Sequence, residues 1–173
     1  ERGDGDVTEI GFQEYFVQRR HSMPVTAVRF DGVAAARPAA SALAALRDAE
    51  IVAIAPSNPL VSIGPIRALA GVDDVLAARR ESVVAVSPIV GGAALKGPAD
   101  RMLAELGHEP SVVGVARLYA PVAGTLVIDP VDEQRAVQIR SLGMRVVVTD
   151  SVMRTPAIAH SLASTVLSSV RLP

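Results

Sequence analysis

Short runs of valine, isoleucine and alanine recur along the chain, separated by longer stretches in which apolar positions return every third or fourth residue. In "GFQEYFVQRRH" the residues Phe12, Tyr15 and Phe16 stand at i, i+3 and i+4, a helical stripe that predicts a core-facing role. "PVTAVRF" alternates like a strand, and Asp31 with Gly32 closes it as a turn. Ser41 is placed to cap the helix "ALAALRDAE", which runs into the buried-strand pattern "IVAIA". The same unit then repeats. "IGPIRALAG" and "VDDVLAARRE" read as helices, "SVVAV" as a strand, and "PADRMLAELG" and "SVVGVARLY" as helices. "GTLVID" and "RVVVT" are strands on either side of a helical "VDEQRAVQIRSLG", and an amphipathic helix from about Pro156 to Val170 ends the pattern.

Val/Ile-rich strands separated by helices imply crossover connections, which join parallel strands. The expected fold is α/β, a Rossmann-like three-layer sandwich with a mostly parallel sheet. Its 173 residues fit a single domain spanning 1–173. Half the residues are apolar but only 3% are aromatic, so the core must be built from Ala, Val, Leu and Ile, as such folds require. A net charge of −1 offers no field for a polyanion, and no basic stripe is interleaved with aromatics, which argues against nucleic acid. There is no cysteine, hence no disulfide, thiolate metal site or thiol nucleophile. The apolar runs are shorter than the ~18 to 20 residues of a membrane helix, and the reading is a cytoplasmic protein without a membrane contact. The opening "ERGDGDVTEI" reads as a polar loop cut from something longer.

Ligands of such sheets bind beyond the carboxyl ends of the strands, which selects two loops. The first, "APSNPLVSIGPI", follows "IVAIA" and carries Ser57, Asn58 and Ser62 among Pro56, Pro59 and Pro65. Its short polar side chains suit either a helix cap or a phosphate oxygen. The second, "SPIVGGAALKGPADRM", follows "SVVAV". There the amides around Gly91, Gly92 and Gly97 are placed to approach an anion at a helix start. It contains Lys96, the single lysine of a chain whose other basic residues are all arginine. A compact ammonium acts as a point charge on a phosphate, whereas the bland alternative is a solvated loop lysine. The order Lys96-Gly97-Pro98 is not a Walker A loop, and no G-x-G-x-x-G is present.

His21, His108 and His160 share no metal-ligand spacing, and no nucleophile elbow or Ser/His/Asp template is found. Asp73 and Asp74 read as an acidic first helical turn. Asp150 ends "RVVVTD" on the ligand side, as either a ligand-positioning group or an N-cap.

Four stretches, "FQEYFVQRR", "IVAIAPSNPLVSIGPI", "VVAVSPIVGGAALKGPADRML" and "VVVTDSVM", resemble successive signatures of the 2-phospho-L-lactate transferase family, the CofD-like and FbiA-like enzymes of coenzyme F420 biosynthesis. The resemblance runs from about Ile10 to Leu167. It implies an enzyme that takes a phospho-acid (phosphoenolpyruvate, 2-phospho-L-lactate or phosphoglycerate) in guanosine-diphosphate-activated form, transfers it to the deazaflavin precursor FO, and releases GMP with Mg2+ assisting. The positions it implies for nucleotide and phosphate contacts are Ser57, Asn58, Ser62 and Gly64 in the first loop, and Ser87, Gly91, Gly92, Lys96 and Gly97 in the second. It names no catalytic residue. The family's N-terminal glycine-loop strand, and the aspartates thought to hold FO and the metal, have no counterpart here. The chain therefore resembles the C-terminal half of such an enzyme, with no metal ligands of its own and no transferase activity alone. A homo-oligomer is expected, with GDP and GMP among its ligands. Two other classes remain open: a nucleotide-sugar-binding regulator of the same superfamily, and a structural half of a split active site.

Overall fold

The computed structural model describes residues 7–170; the opening stretch Glu1–Asp6, read above as a loop, lies outside them. Four strands, β1 (Val52–Ile54), β2 (Val83–Val86), β5 (Thr125–Ile128) and β6 (Arg145–Val148), form one sheet in the order β1-β2-β5-β6. All three pairings are parallel, with Ala53 opposite Val84, Ala85 opposite Leu126, and Val127 opposite Val147. Strand order follows chain order, so every connection steps in the same direction across the sheet.

The pleat divides the core into two. Ala85, Leu126 and Ile128 face a large cluster with residues of α3 (Val72–Ala78), α4 (Ala99–Glu105), α5 (Val112–Tyr119) and α6 (Ala136–Ser141). Val84, Val86 and Val127 face the opposite way, against Leu162 and Val166 of α7 (Pro156–Ser168) and Val170 beyond it. The result is the expected α/β sandwich, with several helices on one face and α7 on the other. Ser111 and Thr155 cap α5 and α7, their hydroxyls accepting from amides of the first turn.

Several local expectations change. Residues 24–30, read as a strand, join no sheet among the described residues, because most of their side chains are exposed and no apolar face is buried. Ser41 lies inside α1 (Ala40–Asp48) rather than capping it; Ala39 precedes the helix without a side-chain bond. The helix expected over residues 131–143 begins as a 3-10 segment, Pro130–Arg135, before α6. The second loop hides a hairpin, β3 (Ile89–Val90) against β4 (Ala93–Ala94). Gly91 and Gly92 form its two-residue turn at φ of 60° and 81°, the left-handed pair that favours glycine.

The aromatic stripe is helical, but only Tyr15 is buried. Its hydroxyl accepts from Arg101 on α4 at 2.8 Å, and the same guanidinium reaches the His21 carbonyl. Glu105, one turn on, accepts from the Val25 amide at 2.9 Å, so α4 anchors the N-terminal segment twice. Phe12 and Phe16 are 46% and 38% exposed and stack on each other with centroids 5.4 Å apart, which corrects their expected place in the core.

A carboxyl-end cavity with two cations

Beyond the carboxyl ends of β1, β2 and β6 opens a cavity of about 810 Å³, within the range of small-molecule sites. Three loops and the aromatic turn form its walls. The first loop contributes Ser57, Asn58 and Ser62; the second contributes Ser87, Lys96 and Gly97; the third, after β6, contributes Ser151 to Arg154; Phe12 and Phe16 complete it. Of the residues that the resemblance implied, these two loops bring Ser57, Asn58, Ser62, Ser87, Lys96 and Gly97 together on one cavity. Gly64, Gly91 and Gly92 are not on its walls.

The hydrogen bonds separate scaffolding from groups with free chemistry. Asn58 Oδ1 accepts from the amides of Leu60 and Val61 at 2.9 and 3.3 Å, capping the wide helical turn Pro59–Ile63. Ser87, 2% exposed, donates its hydroxyl to the Ile89 carbonyl at 2.9 Å and accepts from the Ile89 amide at 3.1 Å. Both side chains therefore shape the cavity floor while their main valences are occupied. Ser62 is exposed on the wall. Gly91 donates its amide to Asp132 Oδ2 at 2.8 Å, a carboxylate only 6% exposed, so that N–H is engaged within the protein rather than free for an anion. Asp132 thereby ties the hairpin to the 3-10 segment after β5. Gly64 is close-packed: a Cβ there would meet Phe30 at 3.1 Å and the Pro59 carbonyl at 3.2 Å.

The second loop continues past the hairpin to Gly97, whose φ of 70° turns the backbone into α4 directly behind Lys96. A Cβ at Gly97 would lie 3.9 Å from the ring of Phe16, so the lysine loop runs alongside the aromatic pair. The third loop is fixed from β5. Asp129 Oδ2 accepts from both the amide and the hydroxyl of Ser151 at 3.1 and 3.2 Å. Asp129 Oδ1 takes the Val131 amide at 3.3 Å.

Two charged groups line this cavity, Lys96 and Arg154, and no carboxylate does. Among the described residues neither cation is joined to an acidic side chain. Both residues are exposed at the mouth of the cavity, so its charged lining is wholly positive in a chain of net −1, a sign that suits an anionic ligand. No group of three or more His, Asp or Glu side chains that could hold a metal is gathered among the described residues, and no carboxylate lines the cavity, so these walls do not fit Mg2+. No described helix is long and apolar enough to cross a membrane.

Asp150 is exposed, lies off the cavity, and caps nothing; the cap of α7 is Thr155. Arg154, Val152 and Met153 were not among the residues singled out from the sequence. The signal that finds them is the one that selected the other two loops, since they too follow a strand at its carboxyl end.

Comparison with known proteins agrees with the signatures in these loops. The family model described as "2-phospho-L-lactate transferase CofD" matches residues 3–165. The 2-phospho-L-lactate transferase of Methanocaldococcus jannaschii is 36% identical over 152 residues, which is 88% of this chain and 47% of that protein. The phosphoenolpyruvate transferase of Streptomyces coelicolor is 39% identical over 144 residues, 82% of this chain and 44% of that protein. That of Mycobacterium avium is 40% identical over 126 residues, 73% and 37%. The chain thus spans about half the length of the curated relatives it matches. With the three loops in place and the match running almost end to end, the chain belongs to the CofD family of 2-phospho-L-lactate transferases.

Proposed function

We propose that this chain binds the activated donor of a phospho-acid transferase of coenzyme F420 biosynthesis, and that its cavity holds the donor's phosphates next to the acceptor's ring. The observation that supports the reading is the cavity itself, which sets two unpaired cations and an aromatic pair on its walls without a single carboxylate. In the proposed reaction a ribityl hydroxyl oxygen of FO attacks the phosphorus that carries the acid. The new P–O bond forms as the bond to GMP breaks, GMP leaves, and the hydroxyl proton is released to solvent. Such a transfer asks chiefly for positioning and for neutralising charge on the phosphoryl oxygens, and no covalent nucleophile is needed.

The residues divide that work. Lys96 places its ammonium on a phosphate; Ser57 and Ser62 offer hydroxyl donors from the facing loop. Asn58, Ser87 and Asp132 are positioning residues, holding the loops through the bonds described above. The stacked Phe12 and Phe16 give the flat deazaflavin ring a surface beside the lysine loop. When bound, Mg2+ would neutralise phosphate charge; its ligands in this proposal come from outside the described residues. Donor binding without turnover is accordingly expected of the chain by itself.

Calorimetry with GDP, together with fluorescence titration with FO, tests the reading. Saturable binding of both is expected, and each should weaken when the wall it uses is altered, GDP by Lys96→Ala and FO by Phe16→Ala. Binding of a nucleotide sugar in preference to GDP, with FO ignored, would replace it by the regulator reading.

A further inference from the structure

Resting on that reading, we infer that Arg154 receives the carboxylate of the transferred acid while Lys96 receives its phosphate. The relatives' names, 2-phospho-L-lactate and phosphoenolpyruvate transferase, describe small acids that share one phosphate and one carboxylate. The cavity offers two cations of different shape. A guanidinium presents a planar fork that meets a carboxylate through two parallel bonds, whereas an ammonium is a rotatable point charge.

The loop that carries Arg154 is built to hold it. Asp129 grips Ser151 through two bonds, the Arg154 amide donates to the Val152 carbonyl at 2.7 Å, and Thr155 caps α7 immediately afterwards, accepting from the Ile158 amide at 3.3 Å. Backbone freedom is thus removed on both sides of the residue, which lowers the entropy lost when its fork engages a ligand. Other arginines here spend their forks on the protein: Arg67 takes both oxygens of Asp73 at 2.9 Å and the Leu118 carbonyl at 2.9 Å. Arg154 has no such side-chain partner among the described residues, and it faces the cavity beside Val152 and the half-exposed Met153. An apolar rim around a free fork suits a carboxylate on a short carbon skeleton, because contact with the skeleton excludes water from the ion pair and strengthens it.

The test is an NMR titration of the 15N-labelled chain with phosphoenolpyruvate and, separately, with GDP, which has phosphates but no carboxylate. Arg154→Gln is expected to weaken phosphoenolpyruvate by about tenfold or more, the scale of a charge-assisted pair, and to leave GDP within about twofold. Arg154→Lys should recover part of the loss, since one ammonium cannot reproduce two parallel bonds. Amide shifts away from the third loop report whether the fold is kept. Unchanged phosphoenolpyruvate affinity in Arg154→Gln, or an equal loss for both ligands, overturns the carboxylate assignment while leaving the donor reading standing. Failure of the unaltered chain to bind either ligand would instead remove the donor reading and this inference with it.

Discussion

At the amino ends of the strands, arginine forks are consumed by peptide carbonyls. Arg80 donates to the carbonyls of Ala120 and Gly143, each at 2.6 Å. Arg79 collects those of Leu46 and Arg47 at 2.5 and 2.7 Å, and that of Ala49 as well. Arg145 reaches the Glu81 carbonyl at 2.8 Å and the Thr125 hydroxyl at 3.2 Å. At the carboxyl ends, Lys96 and Arg154 line a cavity with no protein partner for either charge among the described residues. The same kind of charge is therefore used in two ways. At one end it satisfies the carbonyls left over where loops enter the sheet, so it contributes to stability. At the other end the cations have no acidic partner within the protein among the described residues, and in the proposed function they are the groups left free for a ligand. A fork is what carbonyl stitching needs, and a lysine at Arg80 would supply it poorly; the lone lysine stands at the end where no such stitching is made.

The largest effect should come from cutting the stitching. Arg80→Ala leaves two carbonyls short of a charged donor, and about 3 kcal/mol of stability should be lost, allowing for the partial exposure of the side chain. Urea denaturation measures it. GDP affinity of the folded variant should not move; a variant of unaltered stability would erase the distinction between the two ends.

Next in size is Lys96→Ala, which should weaken GDP binding by about 1.5 to 3 kcal/mol while the melting temperature stays put. Lys96→Arg should rescue only partly, because the planar fork presents its donors differently. Calorimetry at two salt concentrations checks both, and a wild-type affinity in the alanine variant would make Lys96 a solvated loop residue.

How far these two ends could be foreseen depends on the kind of signal each gives. The strands β2 and β5 were legible because short apolar runs rich in valine are buried on both faces, β6 because its three valines in a row keep the same pattern at the half-buried edge of the sheet, and α5 because Ser111 begins an apolar helix in the right place. The loops after β1 and β2 were legible because they follow strands. What could not be read was set by partners far along the chain. The Gly91 amide is taken by Asp132, forty-one positions away, so a glycine that looks free to meet an anion is a hairpin turn. The Pro24–Phe30 segment alternates like a strand, yet α4 holds it at Val25 through Glu105 and leaves its edges unpaired. Arg154 gives no local signal because the group that fixes its loop is Asp129 after β5, distant in the chain, and not the adjacent strand-end carboxylate Asp150.

Phe16 sharpens the comparison with a smaller effect. A buried phenylalanine cut to alanine costs about 3 to 5 kcal/mol, but this ring is 38% exposed and rests on Phe12, so Phe16→Ala should cost only about 1 kcal/mol. FO fluorescence should report a loss of affinity of similar or larger size, on the order of 1 to 3 kcal/mol for a lost stacking surface. Tyr15→Ala, which removes the buried member and the hydroxyl that Arg101 holds, should destabilise the chain more than Phe16→Ala. The reverse ranking in thermal melts would return Phe16 to the core.

The smallest effect concerns a cation that belongs to neither group. Arg117 in the last turn of α5 pairs at the surface with Glu109, which precedes the helix, at 2.6 Å, and the Ser111 hydroxyl donates to the same carboxylate at 2.7 Å. The serine bond first, and then the arginine, hold the Glu109 carboxyl below its ordinary value of 4.5, against the opposing effect of burial. A depressed carboxyl favours the folded state when ionised, so its contribution is present above the ordinary value and is lost as pH falls through the lowered one. Because about a third of the Glu109 side chain and over half of that of Arg117 remain exposed, solvent screens the pair and the contribution should be only a few tenths of a kcal/mol. Glu109→Gln should therefore flatten the acid limb of the stability curve below about pH 4.5 without altering stability much at pH 7. Urea titrations from pH 3 to pH 7 resolve the difference as a change of slope. If the variant instead lost as much stability at neutral pH as Arg80→Ala, an exposed pair would weigh as much as a carbonyl-stitching fork, and the reason for treating the amino end as the structural one would be gone.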